Sequence, residues 1–568
     1  MKQFYRIPRQ WLVMLLCWSG FALLAQDEVK LVPVTRSYAI TNVNIVQGPG
    51  RKIEMGTILI KNGLIQGVGK NLSIPADAVV IKADSMYAYP GFIDGYSRVG
   101  VIKPKEETNR ERIKDPGNPE PAQAGITPQN DVRTSLNPSD RSLEDLRGIG
   151  FTTAQVVPYG GMLPGTGSII QLGGNTTNDM VLSANTVFYS ELTGAQRIYP
   201  NTVIAVMAKY RELYRQAELA KNYESMYASN RTGLERPVGD EVLKAFYPVI
   251  DKRQSVLFKA DKYLDAQRIL NLQSDLGFSV VLGDVKEGWD MIGKIKSANA
   301  KVFLSLDLPD EVKDQSAKKE EKDASKKESK PKNEADVEKE ALEKRKAEFI
   351  ALYTAQASTF QKAGVSFGFS SSSAKTKDIP ANLRRMIAAG LTEDQVLAAL
   401  TTTPAQMLGI SDRVGSVDIG KIANLVISDK SYFNEKAKVR FVFVDGVLYK
   451  NEQKEEKKSN GDGKKVEPSG TWSYSAETPQ GNSTGTLKLK NDGETYSGSV
   501  TSARSGQETP LKSVSVEGNL LTYSFAFSMG GGEMNIDVSV TVDGDEFEGT
   551  MSVGQFGSFP MKGTKEPK

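Results

Sequence analysis

The sequence predicts an α/β protein whose main domain is made of parallel β/α units and is followed by an all-β domain. Three patterns along the 568 residues support this fold class. Between about residues 90 and 405, short apolar runs alternate with helical stretches, as in parallel β/α units. Short strands with tight turns precede this region, and antiparallel strand patterns fill about residues 470–568. A chain of this length is expected to fold as several units.

Strand signals begin at about residue 37 and continue to about residue 90. Residues 38–45 alternate between apolar and polar side chains, which indicates a half-buried strand. Residues 57–60 run into the turn sequence Lys-Asn-Gly at 61–63, and residues 64–68 supply a second apolar segment. The pattern predicts strands joined by a tight turn.

The middle of the chain combines buried strands with helices. Apolar residues recur at helical spacing over residues 203–224, which predicts a long helix. Thr392 and Gln395 have the spacing of a capping box at the start of another helix. Short apolar runs, which are typical of strands buried on both faces, occur at residues 152–157, 256–259, 279–282, 301–304 and 365–369.

Two charged segments of low complexity interrupt this pattern. Residues 309–340 are dense in Lys and Glu, which predicts a solvated insertion. Residues 451–469 have the composition of an interdomain linker. Beyond it, residues 470–568 contain strands and turns typical of a small barrel or sandwich. Its interior could hold an apolar ligand or be filled by its own core.

The composition excludes several classes of protein. Hydrophobic residues make up 39% of the chain and charged residues 25%, so a large core can form and global disorder is excluded. The 72 Lys and Arg residues are balanced by 69 Asp and Glu residues, which does not fit a strongly basic nucleic-acid-binding protein. The chain has no histidine, which excludes an imidazole metal site and a Ser-His or Cys-His pair.

The first 25 residues have the three parts of an export signal. Basic residues within the first nine positions precede an apolar run at 11–24, and cleavage is expected near Ala25. The run is short for a membrane span, so we expect a cleaved signal peptide, a periplasmic or extracellular protein and no membrane span afterwards. Cys17, the only cysteine, follows two leucines, which argues against lipidation. Cleavage near Ala25 would remove Cys17, so the mature chain would have no cysteine and would be stabilised without disulfides.

Several motifs resemble the amidohydrolase superfamily. Residues 89–94, Tyr-Pro-Gly-Phe-Ile-Asp, resemble the first barrel strand of that family, in which two histidines follow in the pattern x-His-x-His. Further resemblances are to the family's closing helix and returning strands at residues 401–409, 415–427 and 442–449, and to its imidazolonepropionase-like branch at 137–138 and 150–158.

The resemblance implies a TIM-type (β/α)8 barrel with a composite β-sandwich built from both of its flanks. The predicted boundaries are a signal peptide at 1–25, the first part of the sandwich at 26–89, the barrel at 90–410 with the insertion at 309–340, the second part of the sandwich at 411–450, a linker at 451–469 and the all-β domain at 470–568.

The family's chemistry needs residues that this chain lacks. The resemblance implies zinc or a similar divalent metal, bound by histidines and an acid at strand ends, that generates hydroxide for attack on a C–N bond. The positions that match those ligands carry Tyr96 and Arg98 on the first strand, Lys259 on a later one, Gly283 or Asp284 on the next, and Ser371 at the acid of the last strand.

These substitutions oppose metal binding, because Arg98 and Lys259 would bring cations that are not metal ligands to the place of a dication. We therefore expect no cofactor. The substituted residues could fill space and pair with carboxylates such as Asp94 or Asp284. Alternatively, Tyr96, Arg98, Lys259, Asp284 and Ser371 could form a binding site for a small anionic ligand.

Other groupings of residues are open alternatives. Ser372 and Lys375 have the spacing of a Ser-x-x-Lys nucleophile, although a serine run after a strand is usually a loop. The Gly-rich segment 160–168 lacks the lysine of a phosphate-binding loop. A carboxylate site for Mg²⁺ or Ca²⁺ could be formed from Asp94, Asp261, Asp284 and Asp307.

The sequence leaves three functions open, and whether the protein is an enzyme stays undecided at this level. It could be a metal-free, catalytically impaired homologue that binds a small molecule or partners a histidine-bearing paralogue in a hetero-oligomer, and a homo-oligomer is also possible. It could be an active C–N hydrolase with a rearranged site. It could be a binding module that acts through residues 470–568. No nucleic-acid partner is expected.

Overall fold

The computed structural model describes residues 37–104, 113, 115–310, 334–451 and 466–566, the last range with gaps at 479–480, 494, 504–505, 507, 530–531 and 554–557. The predicted signal peptide and most of the charged insertion and linker lie outside the described residues. The chain divides into two compact units, Met1–Asn451 and Glu452–Lys568.

The first unit contains an eight-stranded sheet built from segments on both sides of the barrel. Its order is β16-β15-β14-β5-β1-β2-β3, and β4 also pairs with β1. Strand β14 is antiparallel to β5 and places Val426 opposite Tyr89, so distant parts of the chain share one sheet. The strands are β1 Ser37–Gly48, β2 Arg51–Lys61, β3 Leu64–Gly69, β4 Val79–Lys82, β5 Tyr87–Pro90, β14 Leu425–Ser428, β15 Val439–Val444 and β16 Val447–Lys450.

The second sheet of this unit is the barrel, with eight strands hydrogen-bonded in chain order. Several of these strands are buried along their whole length, as expected for strands covered on both faces. Side-chain hydrogen bonds join the first and last strands, from Ser370 Oγ to the Tyr96 carbonyl at 2.8 Å and from the Ser371 N–H to Asp94 Oδ1 at 3.1 Å. The strands are β6 Phe92–Ser97, β7 Phe151–Val156, β8 Gly165–Gln171, β9 Val181–Ser190, β10 Ser255–Lys259, β11 Val280–Val285, β12 Lys301–Ser305 and β13 Phe367–Ser370.

One barrel strand departs from the all-parallel arrangement. Strand β8 is antiparallel to both β7 and β9, whereas the other paired neighbours are parallel. Only residues 157–164 connect β7 to β8, and a parallel crossover needs a dozen or more residues. The short connection therefore forces the chain to reverse direction.

Helices surround the barrel. The long helix predicted at 203–224 is confirmed and extends to Ser229; Thr202 caps its start by accepting the N–H of Ala205 at 3.2 Å. The capping box of Thr392 and Gln395 is also present. The α-helices are α1 Arg141–Gly148, α2 Thr177–Met180, α3 Val203–Ser229, α4 Glu241–Lys244, α5 Tyr247–Ile250, α6 Tyr263–Leu276, α7 Ile292–Ser297, α8 Glu334–Thr354, α9 Gln356–Lys362, α10 Ile379–Ala388, α11 Glu393–Leu400 and α12 Thr402–Met407.

None of the helices in the described part of the chain is both long enough and apolar enough to cross a membrane.

The second unit is a closed barrel of eight antiparallel strands, in which β17 also pairs with β24. Of the two architectures that the sequence left open, the structure therefore has the barrel. Its described interior side chains, among them Trp472, Leu521 and Val540, pack against one another and are buried, which favours a packed core. The strands are β17 Gly470–Thr478, β18 Gly481–Asn491, β19 Tyr496–Ser502, β20 Glu508–Glu517, β21 Leu520–Met529, β22 Gly532–Asp543, β23 Glu546–Val553 and β24 Ser558–Lys565.

Candidate functional site at the barrel mouth

The carboxyl ends of the parallel strands meet at one end of the first barrel, which is where active sites of such barrels lie. We call this end the mouth and define it as residues 94–98, 189–191, 259–261, 283–286, 305–307 and 370–373. All five of the predicted site residues, Tyr96, Arg98, Lys259, Asp284 and Ser371, lie at these strand ends.

Arg98 is held by a hydrogen-bonded group of residues that spans β6 and β9. Its guanidinium donates to Glu191 in a close contact and to the Tyr189 hydroxyl at 3.2 Å. The guanidinium also lies over the ring of Tyr159, with its Cζ atom 4.5 Å from the ring centroid. Tyr189 donates to Glu191 at 2.9 Å, and its hydroxyl lies 2.6 Å from that of Tyr96. Arg98 therefore has a carboxylate, a phenol and an aromatic face as fixed partners.

Two lysines at neighbouring strand ends are paired with aspartates. Lys259 forms an ion pair with Asp261 at 3.0 Å, and Lys286 forms one with Asp307 at 2.7 Å. Burial lowers the pKa of Lys286, but the hydrogen bond to Asp307 and the nearby carboxylates outweigh this effect, so the pKa is raised. Lys286 therefore remains cationic at neutral pH.

Asp94 is fully buried within β6, and no cation pairs with it among the described residues. It accepts hydrogen bonds from the N–H and, in a close contact, the hydroxyl of Ser371, and from the N–H of Tyr96 at 3.2 Å. Burial raises the pKa of Asp94 to about 7, although these hydrogen bonds act in the opposite direction. The carboxyl is therefore about half protonated near neutral pH.

Asp284 is also fully buried and is held by the serine run after β13. Ser370 donates to its Oδ1 at 3.2 Å, and Ser373 donates to its Oδ2 in a close contact. Burial raises the pKa of Asp284, while the hydrogen bonds from Ser373 and Ser305 lower it in part. Its φ of 57° places the backbone in the left-handed region, which few residues other than glycine adopt.

Aromatic side chains fill the barrel below the mouth. Tyr96 and Tyr189 have no exposed surface, and Phe303 is 1% exposed. A Cβ atom added to Gly95 would lie 1.9 Å from Phe303 Cδ1, so only glycine leaves room for this ring. The barrel axis at this level is therefore occupied by side chains of the protein.

The residues present do not fit the divalent metal that the resemblance implies. A catalytic zinc site typically has about three protein ligands. Here Arg98 and Lys259 are cations that form ion pairs with carboxylates, and the Tyr96 hydroxyl is hydrogen-bonded to that of Tyr189. Within the described residues, no group of three or more His, Cys, Asp or Glu side chains is placed to hold a metal ion. The arrangement can form hydrogen bonds and ion pairs, but it is not a metal-ligand set.

One sequence interpretation is corrected by these contacts. In one of the two alternatives left open by the sequence, the substituted cations pair with carboxylates such as Asp94 or Asp284, but serine hydroxyls contact both of these residues. The cations instead pair with Glu191 and Asp261. Asp261 follows the same strand as Lys259, whereas Glu191 follows β9, which is separated from the β6 strand of Arg98 by β7 and β8. Ser371 contacts Asp94, and Asp284 lies with Ser370 and Ser373.

Tyr189 and Glu191, which complete the Arg98 group, are not among the residues that the sequence predicts for the site. Tyr189 lies in strand β9 and Glu191 directly follows that strand. The segment 186–189, Thr-Val-Phe-Tyr, has the β-branched and aromatic composition of a strand. That signal was available in the sequence, but it could not reveal which distant residue the strand would face.

Comparisons with known proteins agree with this architecture. The model of the amidohydrolase family matches residues 301–449. An amidohydrolase from Thermotoga maritima has a TM-score of 0.56 at 18% identity, with 73% of this chain and 100% of that chain covered. Similarity at this level of identity shows the fold.

Two further solved structures are more distant. A prolidase in complex with N-methylphosphonate-L-proline has a TM-score of 0.41 at 15% identity and covers 73% of this chain and 99% of its own. A putative prolidase from Bifidobacterium longum has a TM-score of 0.39 at 15% identity, with coverages of 73% and 95%. No curated protein matches the sequence.

The matched region spans the last two barrel strands and the returning strands β14, β15 and β16 of the flanking sheet, so the family match and the fold concern the same unit. Residues 301–449 of this chain thus match the amidohydrolase family model, and its first unit shares the fold of the Thermotoga maritima amidohydrolase.

Proposed function

We propose that this protein is a catalytically impaired member of the amidohydrolase family that acts by binding and does not hydrolyse its ligand. The observation that carries the proposal is the pairing of Arg98 with Glu191 and of Lys259 with Asp261, at positions where the family's metal-binding histidines are expected. A dication at this place would meet two cations, and each of these is already stabilised by its own carboxylate.

The proposed ligand is a small anion, bound by Tyr96, Arg98, Lys259, Asp284 and Ser371. One feature of Arg98 supports this choice: its Nε is buried and has no hydrogen-bond partner among the described residues. A buried donor without an acceptor is unfavourable, and a carboxylate or phosphate oxygen of a ligand would satisfy it. The alternative binding partner is a histidine-bearing relative in a hetero-oligomer, which co-purification of two chains would show.

A metal-loading experiment tests the proposal. The purified full chain is incubated with Zn²⁺ and with Mn²⁺, dialysed and measured for metal content, and turnover is assayed on dipeptides, lactams and cyclic amides. We expect less than one tightly bound metal ion per chain and no turnover. One equivalent of metal together with turnover would overturn the proposal.

A matched variant shows whether the three positions are responsible. The combined change Tyr96→His, Arg98→His and Lys259→His supplies imidazoles at the expected ligand positions. We expect it to take up more metal than the parent chain, but less than one equivalent, because Ser371 still stands in place of the acid.

A second candidate, a hydrolase with a rearranged site, is favoured by one contact. The Ser371 hydroxyl donates to Asp94, and the pKa of that carboxyl is raised by burial to about 7, near the value that suits a general base. If turnover on amides is found without metal, Ser371→Ala should abolish it, whereas Ser372→Ala should not. Turnover that survives Ser371→Ala would exclude this serine as nucleophile.

We also propose that the protein is exported. Support comes from the sequence of the first 25 residues, which has the order of parts found in signal peptides. The intact mass of the protein recovered from cells that export it should correspond to a chain that begins just after Ala25. A mass that includes the first residues would contradict export by cleavage.

A further inference from the structure

A cavity of about 220 Å³ lies at the end of the first barrel opposite the mouth, and we call it the base cleft. Ser255 and Lys301, the first residues of β10 and β12, line it together with Gln155, Thr186, Phe303 and Met407. Phe303 separates the cleft from the mouth, because its ring packs against Gly95 of β6. The cleft is thus distinct from the site discussed above.

Gln155 brings an unsatisfied acceptor to the cleft. The residue is 1% exposed, and its Nε2 donates to Thr186 Oγ1 at 3.2 Å. Thr186 in turn donates to the Gly167 carbonyl at 3.3 Å, which fixes the orientation of the Gln155 amide. The Oε1 of Gln155 is buried and has no hydrogen-bond partner in the described part of the chain. A buried acceptor of this kind favours an occupant that donates a hydrogen bond.

Lys301 gives the cleft a positive charge. Its Nζ donates to the Met407 carbonyl at 2.6 Å, and no carboxylate lies within ion-pair distance of it among the residues that the structure describes. Burial lowers the pKa of Lys301. Arg253 lines the cleft as well and is hydrogen-bonded to Asp251 at 3.1 Å, whereas no Asp or Glu of the described ranges lines it. An anion would supply the counter-charge that Lys301 lacks.

Val187, Val281 and Phe303 give the cleft an apolar wall, whereas Ser255 and Gln406 add polar groups to its lining. The volume of about 220 Å³ lies below the range of about 300–1,000 Å³ that is usual for drug-sized ligands. The occupant that fits is therefore short and partly aliphatic.

We propose that the base cleft binds a small carboxylate that also carries an O–H or N–H donor, the chemical class of hydroxy acids and amino acids. The carboxylate faces Lys301, the donor faces Gln155 Oε1, and the short aliphatic part contacts the apolar walls. This site is independent of the proposed role of the mouth, since none of its residues belongs to the mouth.

Calorimetric titration of the full chain with L-lactate, L-alanine and acetate tests the proposal. L-Lactate and L-alanine should bind saturably, and acetate, which lacks the donor, should bind about tenfold more weakly. Lys301→Met should weaken all three by about tenfold or more, because it removes the charge, whereas Lys301→Arg should retain binding. Lys294→Met, on an exposed lysine of α7, is the matched control and should have no effect.

Gln155→Met tests the second contact separately. This variant should lower the affinity for L-lactate to that for acetate and leave acetate binding unchanged. Thermal unfolding of each variant shows whether it is folded. The absence of saturable binding by all three probes would mean that the cleft holds water only, and equal affinities in the parent, Lys301→Met and Gln155→Met would place binding elsewhere; either result overturns the proposal.

Discussion

The free energy of unfolding of the first unit should decrease by about 4 kcal/mol between pH 4 and pH 8 because of Asp94 alone. Replacement of this residue by asparagine should remove that part of the decrease. The expectation rests on the burial of Asp94, which raises the pKa of its carboxyl from 3.8 to about 7 in the folded chain.

The sign follows from proton binding in the two states. Between pH 4 and pH 7 the folded chain keeps the proton on Asp94, whereas the unfolded chain has released it. Stability therefore falls as the pH rises through this window and stays at the lower level above about pH 7. Asp284, whose pKa burial also raises, contributes in the same direction, and the difference between the parent and Asp94→Asn isolates the contribution of Asp94.

Urea unfolding at several pH values measures this difference. The chain has four tryptophans, and Trp11 and Trp18 lie in the predicted signal peptide. In a protein that begins just after Ala25, Trp472→Phe as a background leaves Trp289 as the fluorescent reporter of the first unit. Asp418→Asn is a control of opposite sign, because the hydrogen bond from Arg51 lowers the pKa of Asp418. The ionised Asp418 therefore stabilises the folded chain above its unfolded-state pKa, and this stabilisation is lost in acid. A parent-minus-variant difference for Asp94→Asn that stays constant with pH would contradict the prediction.

Trp472→Ala should lower the free energy of unfolding of the second unit by about 3–5 kcal/mol. The side chain of Trp472 has no exposed surface, its ring centroid lies 5.3 Å from that of Phe547, and its Nε1 donates to the Pro468 carbonyl at 2.8 Å. Since whole domains are stable by only about 5–15 kcal/mol, the variant should lose much of the stability of this barrel.

Differential scanning calorimetry of the full chain measures the effect, with the first unit as an internal reference. Trp472→Phe is the matched variant, because it keeps an aromatic ring in the core but loses the hydrogen bond to Pro468, which costs about 0.5–1.5 kcal/mol. Equal unfolding temperatures for the two variants would show that the volume of the tryptophan ring is not what stabilises the barrel.

The regular parts of the fold were predictable because local patterns determine them. The alternation in residues 38–45, the helical spacing in 203–224 and the capping box at Thr392 all correspond to observed elements. Strand β8 was not predicted, and its reversed direction depends on the length of a connection and on its neighbours in the barrel. Such a property is not encoded in the period of the side chains.

The candidate site was predictable only in part. Motif resemblance located Tyr96, Arg98 and Lys259 at strand ends, because strand order along the chain determines those ends. The partner of Arg98 is Glu191, 93 positions away, and its choice depends on barrel geometry that no local pattern contains. The closeness of the serine run to Asp94 and Asp284 likewise arises from closure of the barrel.

The ion pairs of the mouth also determine what a histidine introduced there would cost the fold. A histidine introduced at position 98 would leave Glu191, which is 9% exposed, without its cation, and an uncompensated buried charge typically costs about 3–5 kcal/mol. The same holds, to a smaller degree, for Asp261 after a change at Lys259. A single change to histidine at either position therefore lowers the stability of the fold, and a metal ion bound at the mouth would have to offset that cost.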